Sequence, residues 1–260
     1  MENAKPIRKR GLSHDGARII RLKGHTDEQE FALAIGLAHE YVDDIRGKKD
    51  VIDQAGDAHS VKGGEKKWQI FLYSLSRFEN DFINMNGMGE LLAECIKSFP
   101  ESFEEYQKDK IAPKEHLRPY MVMLAKKLQD KVNLKMFLSK AIFNNEECRY
   151  LTVKEKGIFH VFSKEDVLNV MIGNLEVFNS KSLSKRSFPE QKVILRYKGK
   201  NLGEIEMRND SLVHYREIRF NMIKPRVMTL LFDKISVTKE YSKIVLVHGN
   251  ASKRFGSWKK

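Results

Sequence analysis

Between Asp50 and Tyr73 the chain crowds together residues able to do chemistry: Asp50, Asp53, Asp57, His59, Ser60 and Lys62, then Gln69 and Tyr73. Carboxylates this close together can hold a divalent cation through oxygen. A lysine beside them can stabilise charge growing on a phosphate, or help a water lose its proton. A strand hairpin suits the task, because residues two apart on a strand project from one face. The runs "KDVID" and "AHSVK" are short and partly β-branched, and "QAGD" separates them. They read as strand, tight turn, strand. Ser60 and Lys62 then share a face, and His59 points the other way as a packed or supporting histidine. As ordinary structure, the same run is a surface hairpin with Asp53 and Asp57 as turn residues.

The elements around the hairpin must position it. "TDEQ" at 26–29 is a capping-box pattern, and Phe31, Ile35, Ala38, Val42 and Ile45 follow at helical spacing. A helix is expected over 27–46, ended by Gly47. Gly63-Gly64 closes the second strand, and "EKKWQIFLYSLSRFENDFIN" is predicted as a helix from the spacing of Trp68, Leu72, Leu75, Phe78 and Phe82.

The order helix, Asp50, Ser60-x-Lys62, Gln69-x-x-x-Tyr73 resembles the PD-(D/E)XK nuclease superfamily, and most closely its type II restriction endonucleases. By that resemblance Asp50 matches the first acid, Lys62 the catalytic lysine, and Gln69 with Tyr73 a helix motif. The chain departs from the pattern twice: Lys49 stands where a proline is usual, and Ser60 replaces the second acid. The second metal-binding acid is then Asp57, Glu65 or Glu79, or Asp57 is itself the first acid. Glu30 or Glu40 of the preceding helix could also face the site. The resemblance spans about residues 26–82 and implies a Mg²⁺-dependent hydrolase of double-stranded DNA. In it Asp50, Ser60, Lys62 and Gln69 are catalytic, and Asp50, Asp57 and Glu79 hold the metal.

Composition is consistent with this. Lys and Arg number 47 against 35 Asp and Glu, a formal net charge of +12. So basic a chain seeks polyanions, nucleic acid first and an anionic membrane surface second. The hydrophobic fraction of 41% provides for a packed core. Cys95 and Cys148 form no CxxC pair and read as buried small hydrophobes. "MENAKPIRKRG" lacks the apolar run of a secretory signal, and no segment approaches the ~20 apolar residues of a membrane span. A cytoplasmic protein is expected, with no membrane partner.

Residues 88–146 read as helices punctuated by Pro100, Pro113 and Pro119. From Tyr150 the texture turns to β: a hairpin around "KEKG", a short helix in "KEDVLNVMIGNL", three strands from "KVILRYK" to "HYREIRFNMIK", then "RVMTLLF" and "YSKIVLVH". The charged run 203–220 has two readings. One is cross-strand ion pairing on a solvated sheet. The other is DNA contact: Arg208, Asn209, Asp210, His214, Arg216 and Arg219 at base edges, with Lys181, Lys185 and Arg186 on phosphates. Glu204-x-Glu206 is a third, weaker metal-site reading, since no lysine follows at the right spacing.

The fold class expected is α+β: a restriction-endonuclease-like core of mixed sheet flanked by helices, a helical segment and a C-terminal antiparallel β unit. The divisions fall at 1–87 (arm and catalytic elements), 88–149 (helices) and 150–260 (DNA recognition), or the whole is one continuous domain. The expected function is a Mg²⁺-dependent type II restriction endonuclease, as a homodimer or a monomer. The alternatives are a repair or recombination nuclease and a non-catalytic basic nucleic-acid-binding protein.

Overall fold

A computed structural model describes residues 26–37, 51–82, 85–181 and 188–258. Helix α1 covers residues 26–34. Gly36, at φ +83°, ends it with a Schellman-type turn in which the Leu37 amide donates to Ala32 O. The helix expected over 27–46 is therefore stopped early, and residues 38–46 lie outside the described chain. Strands β1 (Val51–Ile52) and β2 (Ala58–Lys62) form the expected antiparallel hairpin.

The next element corrects the sequence reading. Lys67–Tyr73 is strand β3, not a helix. Trp68 and Ile70 point inward, and the strand pairs along its length with β9 (Glu217–Ile223), with a bulge between Gln69 and Phe71. "KWQIFLY" is rich in the aromatic and β-branched residues that suit a half-buried sheet. The helical spacing of its apolar residues is real only from Leu75, where α2 (Leu75–Asp81) begins. Helices α3 (Met88–Lys97), α4 (Phe103–Lys108), α5 (Ala112–Gln129) and α6 (Lys131–Phe143) follow as expected. Both cysteines are buried, as read.

Strands β4 (Tyr150–Glu155) and β5 (Ile158–Ser163) make the "KEKG" hairpin, and α7 (Lys164–Asn174) starts from a Ser163 side-chain cap. Then come β6 (Glu176–Asn179), β7 (Lys192–Tyr197), β8 (Lys200–Arg208) and β9. The segment "RVMTLLF", read as a strand, lies in helix α8 (Lys224–Lys234). Pro225 in its first turn is pre-set for helical φ, and Val227, Leu230 and Leu231 share a buried face. Strands β10 (Val237–Ser242) and β11 (Val245–His248) end the sheet work, and a 3₁₀ turn (Gly249–Lys253) follows.

The strands form two sheets, a mixed one in the order β1-β2-β4-β5-β11-β10 and an antiparallel one in the order β3-β9-β8-β7-β6. The larger core lies between the antiparallel sheet, helices α2–α8 and one face of the mixed sheet; Phe71, Leu124, Phe137, Leu151, Phe162, Phe220 and Leu231 belong to it. A smaller core covers the other face of the mixed sheet, where Phe31 of α1 and Ile35 just past its end meet Tyr150, Phe159, Val247 and Phe255. Strands from 150 onward enter both sheets and share the mixed one with residues 51–62.

Candidate active site on strand β2

The turn sets the geometry of β2. Asp53 Oδ1 accepts from the Ala55 and Asp57 amides at 2.9 and 3.0 Å, and Gly56 takes φ +80°. This Asx-type turn locks the register Ile52↔Ala58 and Val51↔His59. Alternation then sends His59 and Val61 to the smaller core, and Ala58, Ser60 and Lys62 to the opposite face. On that face Ser60 is fully buried and its Oγ has no hydrogen-bond partner. Lys62 is half-buried, and its Nζ donates to Val61 O at 3.1 Å.

The neighbours of β2 determine what else faces Lys62. β4 runs parallel to it, with Ser60↔Leu151 and Lys62↔Val153; β5 then pairs Val153↔His160. Lys62, Val153 and His160 thus form a row across three strands, and Lys62 and His160 are separated by about 10 Å at Cα, two strand spacings. Glu155, two residues beyond Val153, shares the face. Lys224, at the start of α8, is buried there. Its Nζ donates to Gly64 O at 2.8 Å and Lys154 O at 2.5 Å, and pairs with Glu155 Oε2 at 2.9 Å. It therefore clamps the chain just past Lys62 onto the end of β4.

Behind this strand end, α1 supplies acids. Lys154 Nζ donates to Asp27 Oδ1 at 2.8 Å and also to Glu30. Burial lowers the Lys154 pKa, but the two carboxylates outweigh it and hold the ammonium above the usual lysine value. Asp27 lies against Gly63: a Cβ there would sit 1.8 Å from Asp27 Oδ2. Glu30, named as an acid of the preceding helix, is thus near this strand end but spent on Lys154. Glu40 lies outside the described residues.

His160 and His248 form a buried pair, Nδ1 to Nε2 at 3.0 Å, and His248 Nδ1 lies 3.2 Å from Ile235 O. A carbonyl only accepts, so His248 Nδ1–H donates to it and His248 Nε2 accepts from His160 Nδ1–H. Burial first, and then His248, push the His160 pKa down to about 4.

The remaining residues singled out in the sequence scatter. Asp50 lies outside the described residues. Asp57 is buried and taken by two arginines, Arg149 Nε at 2.9 Å and Arg254 Nε at 2.5 Å. His59 is enclosed by Phe31, Tyr150 and Phe255, with Nε2 3.3 Å from Asp53 and Nδ1 2.8 Å from Thr152 Oγ1, a packed histidine as read. Glu79 is exposed on α2 and pairs with Lys97 at 3.5 Å. Gln69 lies on β3 in the other sheet, opposite Asn221, and Tyr73 stacks on Phe71 at that strand's end. Their helix motif is thus not formed, and Gln69 is not in the sheet that carries Lys62.

The C-terminal set is largely paired within the molecule. Arg208 Nε donates to Asp210 at 2.7 Å, Arg219 Nε to Glu206 at 2.9 Å, and His214 Nδ1 lies 2.8 Å from Glu217. Arg216 stands before β9 at φ +58°, not on the strand as read; its Nε is buried without a partner, and its Nη1 is 3.8 Å from Glu101. Asn209 is half-buried beside Asp210, Lys181 is exposed, and Lys185 and Arg186 lie outside the described residues. Lys192 of β7 reaches both Glu204 and Glu206. The lysine missing from the Glu-x-Glu pattern thus arrives from the neighbouring strand, as a member of an ion ladder. Burial raises the Glu206 pKa, but Lys192 and Arg219 outweigh that and hold it below the usual carboxylate value.

The sequence reading missed Lys154, Glu155 and Lys224. The Lys-Pro start of α8 marks a helix beginning, but nothing local signals that Lys224 closes on Gly64, 160 residues away. Among the described residues no group of three His, Cys, Asp or Glu is placed to hold a metal ion. No protein-family model matches the chain, and no curated protein is significantly similar to it.

Proposed function

We propose that the chain is a Mg²⁺-dependent endonuclease of double-stranded DNA, of the type II restriction kind, with a restriction-endonuclease-like core built on the mixed sheet. The observation that carries the reading is the setting of Ser60 and Lys62. They project from one face of a strand held between an antiparallel hairpin partner and a parallel strand, β4, reached through β3 of the other sheet and helices α2–α6. The net charge of +12 suits a polyanionic substrate.

In this reading the Lys62 ammonium balances charge growing on the scissile phosphate and orients the attacking water. Lys224 and Glu155 fix the strand end from which Lys62 projects. Mg²⁺ would add Lewis acidity at the phosphate and acidity to a bound water. Its donor set does not close among the described residues. Asp57 is spent on Arg149 and Arg254, and Glu79 lies on α2 against Lys97. The metal requirement therefore rests on Asp50. A cytoplasmic homodimer fits symmetric DNA targets.

That unfilled donor set favours one second reading, a basic nucleic-acid-binding protein without catalysis. Incubation with unmethylated phage DNA, in Mg²⁺ or in EDTA, separates the two. Discrete fragments that need Mg²⁺ and vanish in Lys62→Ala support the restriction reading. A smear, or a preference for branched DNA, points to repair or recombination. Intact DNA across several metals and substrates, still bound, leaves the binder.

A further inference from the structure

Helices α5 and α6 carry seven Lys or Arg between Ala112 and Phe143 against two acids, Glu115 and Asp130. This helical pair therefore has a net charge of +5, against +12 for the whole chain. Their pairing differs from that of the C-terminal sheet, where Arg208 and Arg219 are held by carboxylates. Among the described residues, Lys126, Lys127, Lys131 and Lys135 have no carboxylate partner. Lys127 Nζ donates to Asn86 O at 2.6 Å and Lys131 Nζ to Leu175 O at 3.0 Å, and each ammonium keeps further hydrogens to give. The acid among them, Asp130, accepts from the Val132 and Asn133 amides as the cap of α6. Helix stability does not explain the pattern throughout, since Lys131 stands at the start of α6, where the macrodipole disfavours a cation.

We propose that the α5–α6 surface around Lys126, Lys127, Lys131 and Lys135 docks the phosphate backbone of duplex DNA. The proposal rests on the DNA part of the functional reading and extends it to helices distant in sequence from β2. Lys126 and Lys127 line an open groove of ≈ 680 Å³ whose wall also includes Asp130, Met123 and Val132, and Lys131 and Lys135 are exposed on the adjoining α6. Neither Met123 nor Val132 is aromatic, so the surface offers no platform for the unstacked bases of single strands. Two isolated apolar side chains also fall short of the wide apolar face a membrane-bound helix needs. Lys131 and Lys135 lie one helical turn apart, about 6 Å at Cβ, so both can reach one strand of phosphates. Such contacts carry affinity and orientation, not sequence.

The test is binding of a fluorescently labelled duplex in EDTA, where cleavage is off, across a salt series. The variants are K126A/K127A/K131A/K135A and, as comparison, R208A/R219A, each checked for fold by circular dichroism. The quadruple variant should bind at least about tenfold more weakly at moderate salt, and its slope of log K against log salt should flatten by about 3.6, as loss of roughly four phosphate contacts requires. The arginine variant should change the slope by less than about 1. A folded quadruple variant with unchanged slope overturns the proposal while leaving the nuclease reading standing if the protein still cuts. Lysine-dependent DNA binding without any cleavage does the reverse. Anionic phosphatidylserine vesicles and an RNA hairpin are run in parallel. Tighter lysine-dependent binding to either assigns the surface to that partner and overturns the duplex proposal.

Discussion

At the residue scale, the clearest roles belong to groups whose partners are fixed. On the nuclease reading proposed above, Lys62→Ala should lower DNA cleavage about a hundredfold or more, the usual effect of removing a group that stabilises charge in the transition state; single-turnover cleavage with protein in excess over duplex measures it. A Lys62→Ala protein that cuts at the wild-type rate removes the lysine from the chemistry. Asp57 is the opposite case. Its carboxylate is buried beneath the half-exposed Arg149 and Arg254, so Asp57→Ala should lower stability and leave cleavage unchanged, because it removes the group that ties both arginines to the β1–β2 turn. Urea unfolding reads that loss directly. The buried histidines give a pH dependence. Burial lowers the pKa of His59, His160 and His248, so the fold favours their neutral forms. In the unfolded chain each takes up a proton near the ordinary histidine value of about 6.5. The unfolded state therefore binds more protons, and stability should fall as pH drops below about 6.5 toward 4. Urea midpoints at a series of pH values check this, and a flat profile across that window would remove the histidines as the cause.

At the element scale, close approaches decide which helices can sit where. Gly89 at the start of α3 faces the end of α2 so closely that a Cβ would lie 2.3 Å from Phe82 O. Backbone on both sides leaves little room to yield, so Gly89→Ala should cost about 1–3 kcal/mol through overpacking. A thermal melt of that variant close to wild type would show that α2 and α3 can separate without penalty. Elements also decided which motifs were legible. The β1–β2 hairpin was readable because Gly56 and the Asx pattern of Asp53 are local signals. The β3 strand was not, because "KWQIFLY" satisfies helical spacing and strand composition alike, and only pairing with β9 selects between them. α8 shows the converse, with Pro225 a helix-start signal inside a segment whose apolar run also reads as a strand.

At the scale of the whole molecule, the mixed sheet draws on residues 51–62, 150–163 and 237–248. A fragment ending at residue 149 would leave β2 without its parallel partner and the helices α5 and α6 without most of their shared core. It should fail to fold, giving poorly dispersed amide resonances. A folded fragment would instead establish an independent N-terminal domain. No helix among the described residues is long and apolar enough to cross a membrane.

Composition, helical periodicity from 88 to 143, and the strand–turn–strand around Gly56 needed no tertiary information, because charge count, period and turn chemistry are properties of short stretches. The face shared by Ser60 and Lys62 followed from the same local rule of alternation. Partnership did not. Whether Asp57 is a ligand or a counter-ion, whether Gln69 stands in the sheet of Lys62, and whether an arginine is available to DNA or neutralised depend on groups far away in the chain. Arg254, Asn221 and Glu206 answer those questions, and a sequence does not say which distant charges meet until packing of the apolar core brings their strands together.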